Sequence, residues 1–195
     1  MLRKTVIAMS LAAAGGLASM PASADIIDFT GPLDVSNWTT TLSGSPPGGG
    51  GSVDTTGAPG SVKIIGGNSS CGSGNGTCQT DFTITLPSDA NTVSFNWDYN
   101  TTDVDGPFFD RFGYLLNGVF NQLTDNGGAD AQSGTVTLTD IAGDTFGWGM
   151  NCTDCVLGGA TAVISDLKAV PEPGSMAIVG LGLAGLAAVR RRKAA

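Results

Sequence analysis

The sequence predicts an all-β protein whose body is one antiparallel β-sandwich with a jelly-roll-like arrangement of strands. Between residues 25 and 169 no apolar repeat of helical period occurs, whereas short runs that alternate between apolar and polar residues recur throughout. Gly, Pro, Asn and Asp separate these runs about every 8 to 15 residues, which is the spacing typical of sandwiches. A single antiparallel barrel is the alternative architecture.

Ten runs are predicted to be strands. Every second residue is apolar in the runs 80–86 and 92–99, so each should bury one face. Asn117-Gly118 lies between two further runs and is the strongest short signal for a hairpin. The Pro- and Gly-rich segment 45–51 predicts a flexible loop. In chain order, the predicted strands are residues 26–29, 38–43, 61–65, 80–86, 92–99, 112–116, 119–123, 135–139, 145–150 and 160–167.

The first 24 residues have the parts of a secretory signal peptide. Two cations at positions 3 and 4 precede an apolar run over residues 6–17. Ala22-Ser23-Ala24 is a cleavage site of the A-x-A type, so the mature chain is expected to begin at Asp25. An uncleaved anchor is the alternative.

The last 26 residues, 170–195, form a second segment with three parts. It begins with Val170-Pro171-Glu172-Pro173, which the two prolines hold extended because they remove backbone donors and fix φ. Sixteen uncharged residues, 174–189, then predict one transmembrane helix of about 24 Å. The basic run Arg190-Arg191-Arg192-Lys193 is cytoplasmic by the positive-inside rule, so the body is expected on the other side of the membrane. A plain single-pass anchor is the alternative.

These three parts resemble the PEP-CTERM sorting signal of Gram-negative bacteria that export polysaccharide, also called the ice-binding protein C-terminal motif. The resemblance covers residues 170–193 alone. It implies that a membrane exosortase, a cysteine transpeptidase-like enzyme, recognises residues 170–173 and cuts nearby. The protein would then be anchored transiently and end at the cell surface or in an extracellular matrix. The cut site and the product of the cut stay open.

The body between the two targeting segments is strongly acidic. Residues 25–169 contain 16 Asp but three cations, Lys63, Arg111 and Lys168, which gives a net charge of about −13. Nucleic acid is therefore not an expected partner, because a binder needs cations to displace counterions. The densest acidic cluster is Asp98, Asp103, Asp105 and Asp110. These residues predict either a Ca²⁺ site or a hydrogen-bonded Asp turn without metal.

Four cysteines in an exported protein are expected to form disulfides. Pairing of near neighbours, Cys71 with Cys78 and Cys152 with Cys155, is the favoured interpretation, although four cysteines allow three connectivities. No strand–helix context surrounds Cys152-x-x-Cys155, and the chain has no His, so a redox motif or a zinc site is less favoured.

Two sets of residues have both a packing and a binding interpretation. Trp97 and Trp148 fall in phase with apolar neighbours, which favours core positions over sugar-stacking platforms. Thr-x-Thr patterns at 83–85 and 135–139 could form the flat threonine ranks of an ice-binding face, but outward-facing threonines on ordinary strands explain them as well.

The sequence favours a non-enzymatic exported protein over an enzyme. The chain has no His for acid–base catalysis and no G-x-S-x-G motif. The alternative is a carbohydrate-binding module that engages exopolysaccharide, with Ca²⁺ as its structural ion. An extracellular hydrolase is the weaker third hypothesis. A glycosidase needs only two carboxylates, so the many Asp do not exclude one, but no aromatic-lined acid pair stands out.

Overall fold

The computed structural model describes residues 24–71, 77–171, 182–186 and 190. Eleven strands occur in these parts, with three short 3₁₀ turns at Gly31–Leu33, Val35–Asn37 and Pro47–Gly50. The strands are β1 (Ile26–Ile27), β2 (Thr39–Ser43), β3 (Ser52–Asp54), β4 (Ser61–Ile65), β5 (Thr77–Thr85), β6 (Thr92–Thr101), β7 (Asp110–Leu116), β8 (Val119–Gln122), β9 (Ala131–Thr139), β10 (Thr145–Thr153) and β11 (Ala160–Val170).

The strands form two antiparallel sheets. The six-stranded sheet has the order β3-β4-β11-β6-β9, with β1 also paired to β11, and the five-stranded sheet has the order β2-β5-β10-β7-β8. From β4 onward every connection crosses to the other sheet except the β7–β8 hairpin. This is the strand order of a jelly roll, so the predicted antiparallel sandwich is confirmed.

Aromatic side chains from both sheets meet in the core. The ring of Phe95 in β6 lies 5.3 Å from that of Trp148 in β10, edge to face. Trp38, just before β2, stacks on Phe82 at 4.9 Å and on Trp148 at 5.0 Å. Trp97 and Trp148 are 6% and 0% exposed, which confirms their predicted core positions, and Trp38 is 8% exposed and joins them in the core.

The strand boundaries differ from prediction where pairing, rather than apolar pattern, defines the strand. β3 was not predicted because it has three residues, yet it pairs with β4 through Val53 opposite Ile64. β9 begins at Ala131, four residues before its predicted start, because the polar residues there pair with β6. The predicted hairpin is confirmed: Asn117 and Gly118 have φ values of 51° and 78°.

The last strand is longer than predicted because a bulge interrupts its alternation. The register of β11 against β6 shifts between Ser165 and Lys168, and Asp166 there has a φ of 50°. Leu167 is consequently buried, and the strand continues to Val170. The first residue of the predicted sorting motif is therefore the last residue of β11.

The targeting segments fall mostly outside the described residues. Residues 1–23 of the predicted signal peptide lie there, as do Glu172, Pro173 and most of the span 174–189. Residues 182–186 and Arg190 are helical and exposed, whereas the rest of the basic run is not described. Within the described ranges, no helix combines the length and the apolar character needed to cross a membrane.

Candidate functional site

One end of the sandwich carries the predicted acidic cluster. Asp110, the first residue of β7, is 1% exposed, and its carboxylate accepts a hydrogen bond from the Thr101 hydroxyl at 2.9 Å. The Tyr99 hydroxyl donates to the Asp110 carbonyl at 2.7 Å. Asp103 is also buried, and its carboxylate accepts from the Asp105 backbone N–H at 2.7 Å. The β6–β7 loop thus contains the hydrogen-bonded Asp turn that the sequence predicted as one alternative.

Burial and mutual repulsion change the acidity of this cluster. Burial raises the pKa of Asp110 to about 7, and the negative charges of Asp103 and Asp154 act in the same direction, whereas the Thr101 hydrogen bond opposes them. Burial likewise raises the pKa of Asp103, with added repulsion from Asp105 and Asp154. Asp154 lies on the β10–β11 loop, far away in sequence, which is why the sequence did not indicate it.

The four predicted calcium ligands do not come together as one group. Asp98 is exposed on the outer face of β6, whereas Asp110 points from β7 into the interior. In the part of the chain that the structure describes, no three carboxylates have oxygens within 4.8 Å of one another. Asp103 is close enough to Asp105, Asp110 and Asp154 for their charges to interact, whereas no such interaction joins Asp105 to Asp110. Ca²⁺ binding by the predicted ligands stays a prediction.

The cysteines pair as predicted but form one cluster. Disulfides join Cys71 to Cys78 and Cys152 to Cys155, with Cα–Cα distances of 5.7 and 5.3 Å. All four side chains are buried together, because Cys78 and Cys152 lie opposite each other on β5 and β10. The Cys71 sulfur lies 4.0 Å from the Cys152 sulfur. Sequence spacing indicates the two pairs but not their contact, which depends on strand register.

The disulfide cluster joins three loops at the same end of the sandwich. The Cys71 N–H donates to the Asp154 carbonyl at 2.9 Å, and the Gly158 N–H donates to the Asn68 side chain at 3.2 Å. Gly49, at a φ of 60°, approaches so closely that a Cβ there would lie 2.6 Å from the Cys155 sulfur. The loops after β2, β4 and β10 therefore depend on one another for their positions.

A second candidate site is the outer face of the five-stranded sheet, which we call the glycine face. Gly147 and Gly149 on β10 and Gly113 on β7 occupy its centre, and Gly113 is the register partner of Gly149. Asp81 on β5 is the other register partner of Gly149. A Cβ on Gly149 would lie 2.7 Å from an Asp81 carboxylate oxygen, so this carboxylate extends over the glycine. The same oxygen accepts a hydrogen bond from the Gln79 amide at 2.7 Å.

Polar atoms without partners border the glycine face. Asn151 and Arg111 are register partners on β10 and β7. Among the described residues, the Asn151 side-chain oxygen and the Arg111 Nε are buried without a hydrogen-bond partner. Another nitrogen of the Arg111 guanidinium reaches the Thr153 hydroxyl at 3.5 Å. Burial raises the pKa of Asp81, and the hydrogen bond from Gln79 opposes this rise.

A cleft of about 590 Å³ lies at the other end of this face. Threonines from three adjacent strands and residues of the bordering loops line it: Pro32, Asn37, Thr39, Thr83, Ile84, Thr85, Pro87 and Thr145. The threonines at 135, 137 and 139 also face outward, but they lie on β9 in the other sheet. The two threonine patterns therefore do not share one plane, as a single ice-binding face would require.

Several solved structures show a weak likeness to the chain. A carbohydrate-binding module with specific mannan recognition is 14% identical, with a TM-score of 0.38, covering 75% of this chain and 98% of that one. A family 11 carbohydrate-binding module from Clostridium thermocellum, in complex with a β-1,3-1,4-mixed-linked tetrasaccharide, is 12% identical, with a TM-score of 0.37, covering 75% and 95%. A third structure, a module in complex with β-1,4-galactotriose, is 10% identical, with a TM-score of 0.33, covering 71% and 90%.

The sequence comparison concerns the tail. Residues 169–193 match the family model of the PEP-CTERM protein-sorting motif, as the sequence predicted. No curated protein matches the chain in sequence. The matched segment begins with the last two residues of β11, so the body and the motif are adjacent without a linker.

Proposed function

We propose that this chain is an exported, non-enzymatic β-sandwich protein that an exosortase-type enzyme sorts by processing its PEP-CTERM tail. After processing, the sandwich is held at the surface of a Gram-negative cell or released into the extracellular matrix. The observation that carries the proposal is the position of the motif directly after β11. A cut beyond Pro173 would leave every strand of the two sheets intact.

The state of the reactive groups supports a non-enzymatic role. The sequence has no His, and the four cysteines are paired in buried disulfides. Asp103 and Asp110, whose pKa values burial raises, are 6% and 1% exposed, so a substrate would have little access to them. The Asp110 carboxylate accepts a hydrogen bond from the Thr101 hydroxyl and the Asp103 carboxylate accepts one from the Asp105 backbone N–H, which supports a structural role.

The sorting proposal is tested by changing the motif in the full-length chain. We expect Glu172→Ala, combined with alanine at Pro171 and Pro173, to leave unprocessed protein in the membrane fraction, detected by mass and by cell fractionation. Thr137→Ala on the exposed face of β9 is the control and should be processed normally. A motif variant with the distribution and mass of the unaltered protein would refute the proposal.

Carbohydrate binding is the second candidate function, and the threonine-lined cleft of about 590 Å³ favours it. A sugar ligand presents hydroxyl groups that both donate and accept hydrogen bonds, and the threonine hydroxyls that line this cleft can do the same. Sugar stacking on the three tryptophans is not part of this proposal, because all three are buried. A glycan-binding screen tests it, since a pure matrix scaffold should give no saturable binding.

A further inference from the structure

We infer that the four cysteines, once their disulfides are reduced, bind one Zn²⁺ ion through four thiolates. The ligands of this site are Cys71, Cys78, Cys152 and Cys155, whose side chains are buried together in one cluster. Such a site is independent of the proposed sorting and of carbohydrate binding.

The sulfur atoms lie at the spacing of a zinc site. In a tetrahedral site each Zn–S bond is about 2.3 Å, so two sulfurs of the site lie about 3.8 Å apart. The Cys71 and Cys152 sulfurs are 4.0 Å apart, and the sulfurs of Cys71, Cys152 and Cys155 all lie within 4.8 Å of one another. Among the described residues, these three are the one group of His, Cys, Asp or Glu side chains with ligand atoms so close together.

Cys78 supplies the fourth ligand. It is joined to Cys71 by a disulfide and is the register partner of Cys152 on the neighbouring strand. When that disulfide is reduced, rotation about the Cα–Cβ bond of Cys78 can direct its sulfur toward the other three. The sequence spacing alone does not indicate this set, because the strand register brings the two pairs together.

The backbone holds the cysteines near one another in addition to the disulfides. Cys78 and Cys152 lie on β5 and β10, which pair along their whole lengths of nine residues. The Cys71 N–H donates to the Asp154 carbonyl at 2.9 Å, which ties Cys71 to the segment between Cys152 and Cys155. These backbone contacts do not depend on the oxidation state of the sulfurs, so the reduced fold keeps the four ligands close.

The surroundings of the cluster favour a small cation that prefers sulfur. The loop after β2 covers the sulfurs: a Cβ on Gly44 would lie 2.4 Å from the Cys78 sulfur, and a Cβ on Gly49 2.6 Å from the Cys155 sulfur. Buried thiolates need a charge partner, and a bound metal ion supplies one. A tetrahedral set of four sulfurs is typical of zinc, whereas Ca²⁺ and Mg²⁺ prefer oxygen ligands.

Disulfides and a zinc site are alternative uses of the same four sulfurs. A dithiol reductant gives two electrons and two protons to each disulfide and is itself oxidised to a disulfide, which leaves four thiols in the chain. Zn²⁺ then binds the four sulfurs as their protons are released to solvent. The reduced form precedes export, because the cytoplasm keeps thiols reduced.

The test compares the reduced and the oxidised full-length chain in detergent. One sample is reduced with dithiothreitol in urea, freed of reductant by gel filtration under nitrogen, and refolded with Zn²⁺ or Co²⁺. We expect it to retain one zinc ion per chain by elemental analysis, and its cobalt form to show the intense visible absorption of tetrahedral cobalt thiolates. The oxidised chain carries the same carboxylates, so it is the matched control and should retain no metal.

Variants identify the ligands. Cys78→Ser and Cys155→Ser should each weaken zinc binding by the reduced chain about tenfold or more in competition with a chromophoric chelator, since groups that merely orient a ligand already contribute that much. Asp103→Asn, in the adjacent acidic cluster, should bind zinc as the unaltered chain does. Zinc should also raise the melting temperature of the reduced chain, followed by circular dichroism.

Two kinds of result would overturn the zinc site. A reduced chain that retains no more zinc than the oxidised chain, or that stays unfolded when zinc is added, would show that the cluster does not bind the ion. Unchanged affinity in either serine variant, or lost affinity in Asp103→Asn, would show that the four cysteines are not the ligand set.

Discussion

The two stacked tryptophans of the core differ in how their indole N–H groups are satisfied. The Trp38 N–H donates to the Leu33 carbonyl at 2.8 Å, whereas the Trp148 N–H is buried without a partner in the described structure. Both rings make extensive aromatic contacts, with a centroid distance of 5.0 Å between them. The two residues therefore separate the contribution of ring packing from that of a hydrogen bond.

We expect Trp148→Phe to cost less stability than Trp38→Phe. Removing the Trp148 indole also removes an unsatisfied donor, whereas removing the Trp38 indole leaves the Leu33 carbonyl without its partner, at a cost of about 1–3 kcal/mol. Trp148→Ala should cost about 3–5 kcal/mol, because it leaves a cavity. Urea unfolding measures all three free energies. Equal costs for the two Trp→Phe variants would contradict the hydrogen-bond assignment.

The buried carboxyl of Asp110 makes stability depend on pH. Its folded pKa of about 7 lies above the ordinary value of 3.8. Between these values the folded state binds more protons than the unfolded state, so its stabilising contribution is fully present below about pH 4 and is lost as pH rises through 7. We therefore expect Asp110→Asn to raise the melting temperature at pH 8 relative to the unaltered chain, and to have little effect at pH 4.

The Asp110 experiment has a matched control in Asp98, which belongs to the same acidic cluster in the sequence. Asp98→Asn removes one carboxylate from the exposed face of β6, and so controls for the change in net charge. Both variants are compared by thermal melting without divalent ions. If Asp110→Asn lowers the melting temperature equally at both pH values, ionised Asp110 stabilises the fold, and the raised pKa is wrong.

The two disulfides lie in contact at the ends of β5 and β10. Replacing the Cys71–Cys78 pair by alanine should cost about 2.5 kcal/mol of unfolding free energy, and replacing the Cys152–Cys155 pair about 2 kcal/mol, by loop-closure entropy. Because the Cys71 and Cys152 sulfurs lie 4.0 Å apart, removing both disulfides should not cost the sum. A coupling free energy of about 0.5 kcal/mol or more is expected in a double-mutant cycle.

The cycle is measured by urea unfolding of the unaltered chain, the two double-alanine variants and the quadruple variant. Mass spectrometry confirms that the remaining disulfide is intact in each. If the unfolding free energies lost in the two double-alanine variants add up to the loss in the quadruple variant, the two disulfides act independently. That result would contradict the prediction that their contact couples them energetically.

The elements that the sequence predicted are those with local signals. The alternation in β5 and β6 and the Asn117-Gly118 turn depend on neighbours in the chain, and the structure has both strands and the hairpin. The bulge at Asp166 depends on a partner far away in the chain, β6, and no local pattern indicates it. Strand β3 pairs with the next strand, β4, but its three residues are too few to show an alternating pattern. The same distinction applies to the site residues. Disulfide pairs close in sequence were predictable, whereas Asp154 beside Asp103 required the fold.

The sandwich and its tail are predictable from the sequence for different reasons. Regular spacing of turns indicates an antiparallel sandwich, and an uncharged span between a Pro-Glu-Pro motif and a basic run indicates a sorting tail. The glycine face was not predictable, because Gly113, Gly147 and Gly149 belong to two strands whose pairing register decides whether they are adjacent. That surface forms only when the sheet assembles.

Because the body is strongly acidic, a comparison of two salts is needed to distinguish general screening from specific calcium binding. Residues 25–169 contain 16 Asp and three cations, so the carboxylates of the folded state repel one another. Salt screens this repulsion and should therefore raise the melting temperature. At equal ionic strength, CaCl₂ should raise the melting temperature more than NaCl if Asp103, Asp105 and Asp110 bind the ion, because binding to the folded state alone adds stability. The extra shift should disappear in Asp103→Asn and persist in Asp98→Asn, whose carboxylate lies on the exposed face of β6. Equal shifts with the two salts, together with no heat of binding in calorimetry, would leave the hydrogen-bonded Asp turn as the complete description of the acidic cluster.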